Sequence, residues 1–356
     1  MAAHACECTR RESRKQFPTV QALPVKNPQT SAPRLDFLDT AKGVLVLLMV
    51  VYHALNYTNQ LHLSFRYLSF LPPSFILITG FLISVVYFPR YVAGASGFWI
   101  RLLTRGGKLL LLFTALNVVA QYVRSPVYGQ SIGLDGFFGR WHEIFVLGAG
   151  PTAAFEVLLP IAYLLVLSPA LIWLAHANAT LLTAVAAALV AACALLDATG
   201  HALANANLIS AGLVGMVAGR VLPHPELLGR PLALSLVAYA LYFPASLAVG
   251  YVYIVQLLGA AIALVLICSV SLRLDGDAWW RRRLTRIGQY SLLSYITQIA
   301  ILQVLSRFVG RPDPLSSRAM LLYFGTLIIM AGIIELTDWL RKRARTVDTV
   351  YRVILA

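Results

Sequence analysis

The chain has 356 residues, of which 59% are hydrophobic and only 12% charged, with a mean hydropathy of +0.74. A water-soluble chain of that length needs far more charge to cover its surface, so a set of soluble domains is excluded and a helical membrane bundle is expected. The formal net charge of +14 does not imply nucleic acid, because no nucleic-acid-binding module accompanies it.

Position explains the charge. Arg281, Arg282, Arg283 and Arg286, and then Arg341, Lys342, Arg343 and Arg345, stand at the ends of apolar runs. Such clusters mark the cytoplasmic side of a membrane protein.

Residues 1–33 are polar and basic with no apolar run, and read as a disordered cytoplasmic tail rather than a cleavable leader. Cys6 and Cys8 lie in that tail and Cys193 and Cys268 in apolar runs. Neither a disulfide framework nor a metal site is expected from them.

Apolar runs then predict about ten helices, near 37–58, 68–88, 100–123, 152–176, 180–198, 202–222, 231–249, 251–272, 285–308 and 318–340. The expected architecture is all-α: a polytopic transmembrane bundle over 34–340, followed by a basic cytoplasmic tail at 341–356. Joining the runs across Val249–Tyr253 into one long helix would change the count. The stretch 125–150 is Gly-rich and amphipathic, and fits an interfacial or re-entrant segment.

With ten spans and a cytoplasmic N-terminus, the inner side collects the tail, Arg90, Arg101, Arg220, Arg230 and both clusters. The outer side keeps Arg66, Arg124, Arg140, Arg307, Arg311 and Arg318. Both termini are therefore expected in the cytoplasm.

The first helix carries an unusual pattern. Asp39, Lys42, Val46, Met49, His53, Asn56 and Gln60 follow one another at alternating steps of three and four, which places them on one helical stripe. Lys42 and His53 stand about 16 Å apart along the axis. Ionisable residues inside a bilayer normally face a bundle interior or a water-filled path. The stripe could hold an anionic ligand at its Lys42 end while proton transfer occurs at His53. Two blander readings stay open: Lys42 snorkels and pairs with Asp39 one turn away, and His53 is a hydrogen-bonded interior histidine.

Later helices add fewer signals. Glu156 opens the fourth helix, where it could orient His53, contact an acceptor, or sit as an interfacial acid. His142 and Glu143 fit either sugar binding or a solvated loop. Gly215 and Gly219 are spaced for close helix packing. Ser291, Ser294, Tyr295 and Gln298 form a narrow polar face on the ninth helix, suited to interhelical hydrogen bonds or to lining a channel. Glu335 and Asp338 are expected to neutralise the Arg341–Arg343 cluster.

The segment Arg34-Leu-Asp-Phe-Leu-Asp39-Thr-Ala-Lys42-Gly43, closed by Tyr52-His53, resembles the opening helix of the integral-membrane acyltransferases of family 3. Those read R-x-x-x-L-D-x-x-R-G before an apolar run ending in Y-H, and Lys42 takes the usual arginine's place. Phe75-Ile-Leu-Ile-Thr-Gly80-Phe-Leu-Ile-Ser84 is similar to the family's F-F-x-L-S-G-F-L-I segment. Phe98-Trp-Ile-Arg101-Leu-Leu-Thr-Arg105 looks like the basic start of its third helix. Ile287-Gly288-Gln289-Tyr290-Ser291-Leu-Leu-Ser294-Tyr295 resembles its late G-x-x-S-x-x-x-Y helix. Heparan-type glucosaminide acetyltransferases and periplasmic glucan succinyltransferases share parts of this pattern. The chain departs from it at Gln298, where the family often has histidine, and an esterase-like extracytoplasmic domain after the last helix is not expected.

The resemblance implies an acyltransferase of the class transferring groups other than aminoacyl, in the bacterial inner membrane. An acyl group of the acetyl or succinyl class would pass from cytoplasmic acyl-CoA, a co-substrate, to a hydroxyl of an extracytoplasmic carbohydrate acceptor. No bound cofactor or metal is implied, and membrane lipid is the surrounding partner. His53 becomes the base that deprotonates the hydroxyl, helped by an ordinary imidazole pKa of about 6.5; an acyl-imidazole is the covalent variant. Lys42, Arg101, Arg105 and Lys108 become candidates for the CoA phosphates, with Asp39 beside them, although topology charge also accounts for the three on the third helix. Asn56, Glu156, Ser291, Ser294, Tyr295 and Gln298 become candidate lining. The competing function is a transporter or flippase that uses the same polar face as a permeation path.

Overall fold

The computed structural model describes residues 35–58, 68–95, 97–123, 133–148, 154–222, 224–250, 252–274 and 276–355. The expected tail at 1–33, and Gln60, Arg66 and Arg124, lie outside the described residues. Among the described residues every regular element is helical.

In chain order the elements are α1 (Asp36–Leu55), α2 (Leu71–Val92), α3 (Phe98–Val123), the short α4 (Gly133–Gly139), α5 (Leu158–Ala177) and α6 (Ala179–Ala198). They continue with α7 (Ala204–Val221), α8 (Leu232–Val249), α9 (Tyr253–Arg273), α10 (Trp279–Gln289), α11 (Ser291–Val309), α12 (Ser317–Arg343) and α13 (Arg345–Ile354). A π turn over Ile83–Tyr87 interrupts α2, and a second, His142–Leu147, follows α4.

Nine of the described helices, α1, α2, α3, α5, α6, α8, α9, α11 and α12, are long and apolar enough to cross a membrane. Their outer faces leave Leu111, Leu195, Leu234, Leu241, Phe308 and Ile328 exposed, a belt that water does not tolerate and hydrocarbon does.

Four sequence expectations change. The predicted run at 202–222 does form α7, but Asn205, Asn207, Ser210 and its glycines make it less apolar than the nine. Instead it packs tightly on α2: a Cβ on Gly215 would strike the Leu77 carbonyl, and one on Gly219 the Phe81 carbonyl. The predicted helix at 152–176 starts later, at Leu158, after a bent stretch. The run at 285–308 divides into α10 and α11 at Tyr290. The C-terminal stretch is itself helical, because α12 continues to Arg343 and α13 follows. Gly250, at φ +91°, separates α8 from α9 and settles the question of a fused helix.

The basic residues converge at one end of the bundle. Arg220 stacks over Phe88, 4.1 Å from the ring centroid, and Arg105 donates to the Tyr87 hydroxyl at 3.1 Å. Lys108 reaches the Arg352 carbonyl at 3.1 Å. Arg283 and Arg286 of α10 pair with Glu335 of α12, and Arg286 also with Asp338. Glu335 thus serves the α10 arginines, while Asp338 pairs with Lys342 of the 341–343 cluster at 2.6 Å, as expected, and with Arg286 at 3.5 Å. Helical spacing accounts for the Lys342–Asp338 pair one turn apart, whereas Glu335 has Trp339 at that spacing and takes its cations from α10.

Candidate functional site

The site begins with how α1 meets α10 and α11. A Cβ on Gly288 would run into the Asp39 carbonyl, and one on Gly43 into the Leu284 carbonyl. Two glycines thus let the backbones of α1 and α10 touch. Thr40 and Thr285 bond through their hydroxyls across the same crossing, at 2.8 Å. With that crossing set, α11 runs beside α1 and carries Tyr295 to His53. Their ring centroids lie 5.8 Å apart with the planes tilted by 53°.

His53 is half-buried, but its Nε2 is sealed from solvent and finds no hydrogen-bond partner among the described residues. Asn56 Oδ1, one turn further along α1, is in the same condition. Gln298 is fully buried, and neither its Oε1 nor its Nε2 is paired. It stands one turn beyond Tyr295 on the same face of α11. An unsatisfied buried polar group costs about 1–3 kcal/mol, and such groups normally find a partner in protein or ordered water. Three such side chains on the adjoining helices α1 and α11 make this the candidate place for a polar ligand or ordered water.

A further wall comes from the segment before α5. The Phe155 ring meets Tyr295 edge-on, with centroids 6.0 Å apart. Phe155 has a φ of +62°, a left-handed conformation that is strained for a bulky residue and tends to occur at functional sites. The clamp that holds it is Asn117 of α3. Its Nδ2 donates to the Ala154 carbonyl at 2.9 Å, and its Oδ1 accepts from the Ala154 N–H at 2.7 Å. The strained turn delivers Glu156, whose side chain is exposed by surface area yet flanked by protein atoms. Burial pushes its carboxyl up to about 7.

The second π turn is tied to the bundle beside this wall. Tyr163 donates to the Phe145 carbonyl at 2.7 Å, and the Asn205 amide reaches the carbonyls of Phe145 at 3.1 Å and Val146 at 3.3 Å. The Phe145 ring packs edge-on against Phe113. His142 and Glu143 point outward and are exposed.

At the basic end, Lys42 Nζ lies 2.6 Å from Asp39 Oδ1, the one-turn pair that spacing allows. Arg101 and Arg105 are exposed, and Lys108 is engaged with α13. Ser294, a candidate lining residue, instead turns its hydroxyl back to the Tyr290 carbonyl of its own chain segment at 3.0 Å. Ser291 starts α11 and is half-buried.

His53 and Tyr295 are thus brought together, with Gln298 one turn further along α11 and Phe155, the residue before Glu156, against Tyr295. Lys42, Arg101, Arg105 and Lys108 belong to the other end of the molecule. Asn117, Phe155, Tyr163 and Asn205 are additions that sequence reading missed. For Asn117 and Asn205 a signal exists: each is an amide inside an otherwise apolar run, where a polar group needs a reason.

No family model, curated protein or solved structure matches the chain.

Proposed function

We propose that the protein is a membrane-bound O-acyltransferase that uses His53 as its general base. The observation that carries this reading is the sealed, unpaired Nε2 of His53, whose ring lies against Tyr295, one turn from the unpaired amide of Gln298 on α11; the other end of the His53 helix presents Lys42. An imidazole nitrogen without a partner can accept a proton, and an amide without a partner can donate to an oxyanion.

Chemically, a hydroxyl of the acceptor gives its proton to His53 Nε2 while its oxygen attacks the acyl-CoA carbonyl carbon. The tetrahedral oxyanion takes a hydrogen bond from Gln298 Nε2. As the carbonyl re-forms, the C–S bond breaks and the CoA thiolate takes the proton back from the imidazolium. Atoms and charge balance without a metal or redox partner. The donor approaches from the basic end, where Lys42, Arg101, Arg105 and Lys108 supply positive charge for its phosphates. The acceptor is a carbohydrate hydroxyl on the opposite, extracytoplasmic side of the bacterial inner membrane, and the acyl group is of the acetyl or succinyl class. The resemblance of α1 to family 3 acyltransferases supports the same assignment.

The test compares membranes containing wild-type and His53→Ala protein. Acyl-CoA consumption and mass spectrometry of surface glycans are the readouts, and both the turnover and the acylated product should vanish in the variant. Unchanged glycan acylation in His53→Ala, together with a solute flux abolished by Lys42→Ala, would establish the transporter instead.

A further inference from the structure

The C-terminal helix is not a free tail. Arg341 of α12 donates to Asp348 of α13 through Nε at 2.9 Å and Nη2 at 2.7 Å, and its guanidinium lies 3.9 Å from the Tyr351 ring centroid. The Tyr351 ring packs edge-on against Tyr290. On the far side, Lys108 of α3 donates to the carbonyl of Arg352. Held from both sides, α13 bridges α12 and α3 across the basic end.

Beneath this bridge lies a cleft of about 470 Å³ lined by Lys108, Arg345, Asp348, Thr349, Arg352 and Val353. Three of these side chains are cationic and one is anionic. The carboxylate is already shared, because Asp348 accepts from Arg341 and pairs with Arg352 at 2.7 Å. Arg345 makes no ion pair among the described residues. The Thr349 hydroxyl is turned onto the Arg345 carbonyl, so recognition falls to the cations: Arg345, and Lys108 and Arg352, which keep N–H donors beyond their bonds to the Arg352 carbonyl and Asp348. Val353 gives the cleft an apolar flank and, with Val350 and Ile354, stands exposed. An excess of positive charge in a concave site at a membrane surface attracts phosphate, whose oxygens take charge-assisted hydrogen bonds from Lys and Arg.

We propose that this cleft is a phosphate-binding site in which Lys108, Arg345 and Arg352 hold the phosphate group. Two sources carry that chemistry: the headgroup of an anionic phospholipid, with its chains along the exposed valines, or the phosphates of a nucleotide such as CoA. The site shares Lys108 with the donor-phosphate set proposed above but lies away from His53, and phosphate binding persists whether or not the protein transfers acyl groups.

The experiment uses full-length protein in phosphatidylcholine nanodiscs, titrated with CoA by calorimetry, and in parallel native mass spectrometry after exchange into phosphatidylglycerol. At least one probe should bind, more weakly at higher salt. Binding should weaken about tenfold in the Lys108→Gln, Arg345→Gln double variant, as expected for lost hydrogen bonds to a charged group, and recover in Lys108→Arg. CoA binding alone assigns the site to a soluble donor, and retained phosphatidylglycerol alone assigns it to the bilayer. If the double variant loses its melting transition, Arg345→Gln alone, which breaks no observed side-chain contact, should still weaken binding severalfold. Failure of both probes to bind, or equal binding by wild type and the Arg345→Gln protein, overturns the proposal. His53→Ala separates the two readings: it should abolish acyl transfer and leave phosphate binding intact.

Discussion

The imidazole of His53 lies against the phenol ring of Tyr295, with centroids 5.8 Å apart. This contact joins the stripe on α1 to the polar face of α11 and fixes where Nε2 points. Tyr295→Phe keeps the ring and should retain most turnover, whereas Tyr295→Ala should lower it by one to two orders of magnitude through misplacement of the base. His53→Gln should cost about 10²- to 10⁴-fold, the usual contribution of a positioned general base. Initial rates of acyl-CoA consumption in purified membranes measure all three.

Gln298 is buried with both amide atoms unpaired. Gln298→Leu removes that unsatisfied group and should raise the melting temperature, by about 1–3 kcal/mol of stability, while turnover falls. A thermal melt and a rate assay on the same preparation check the opposed directions. A variant that is both less stable and fully active would show the amide to be a packing element.

Asn117 holds the Ala154 backbone through two hydrogen bonds and so keeps Phe155 left-handed. Asn117→Leu should cost about 1–3 kcal/mol in stability and lower turnover, because the turn carrying Glu156 relaxes. In the Asn117→Leu background, Phe155→Gly should lower stability further, because losing the buried ring costs about 3–5 kcal/mol and outweighs the relief of the left-handed φ. Denaturation in detergent compares the single and double variants.

Gly288 lets α10 touch α1 at the Asp39 carbonyl. Gly288→Ala forces the two backbones apart and should destabilise the protein by about 1–3 kcal/mol. Activity should fall with it, because the same crossing sets the position of Tyr295. Gly107→Ala, inside α3 where an added Cβ meets nothing within 4 Å, is the matched control and should leave the melting temperature unchanged or slightly raised, since Ala favours the helix over Gly.

The docking of α13 should depend on pH. The hydrogen bond from Arg341, and then that from Arg352, hold the Asp348 carboxyl below its ordinary range. A depressed carboxylate adds stability that is fully present above the unfolded value of about 3.9 and is lost as pH falls through the folded value. Hydrogen-exchange protection in α13, measured relative to the intrinsic rate at each pH, should therefore be high at neutral pH and fall below about pH 4. Asp348→Asn should show fast exchange already at neutral pH.

Much of this architecture is legible in the residues themselves. Long apolar runs fix the membrane helices because backbone groups in lipid must bond within their own segment. The alternation of three and four from Asp39 to Asn56 puts Lys42 and His53 on one face, and the Lys42–Asp39 pair follows from one turn of helix. Other features are not legible. Nothing local distinguishes the polar run of Ser291, Ser294 and Tyr295 into lining and non-lining members; Ser294 turns its hydroxyl onto the Tyr290 carbonyl at 3.0 Å and the Ile287 carbonyl of α10 at 3.4 Å. The late start of α5 is hidden for a similar reason, since Asn117 on a distant helix holds the bent segment.

The sequence by itself determined an all-helical membrane chain, a basic end, and a costly histidine on the first helix. Helical periodicity and the expense of charge in an apolar run are enough for that. Tertiary structure alone decided which groups face His53, that the C-terminal helix is latched over a basic cleft, and that α7 is a glycine-packed partner of α2. Each of these depends on how closely distant backbones approach, at Gly43 and Gly288 or at Gly215 and Gly219, and that distance is set by packing between helices rather than within one.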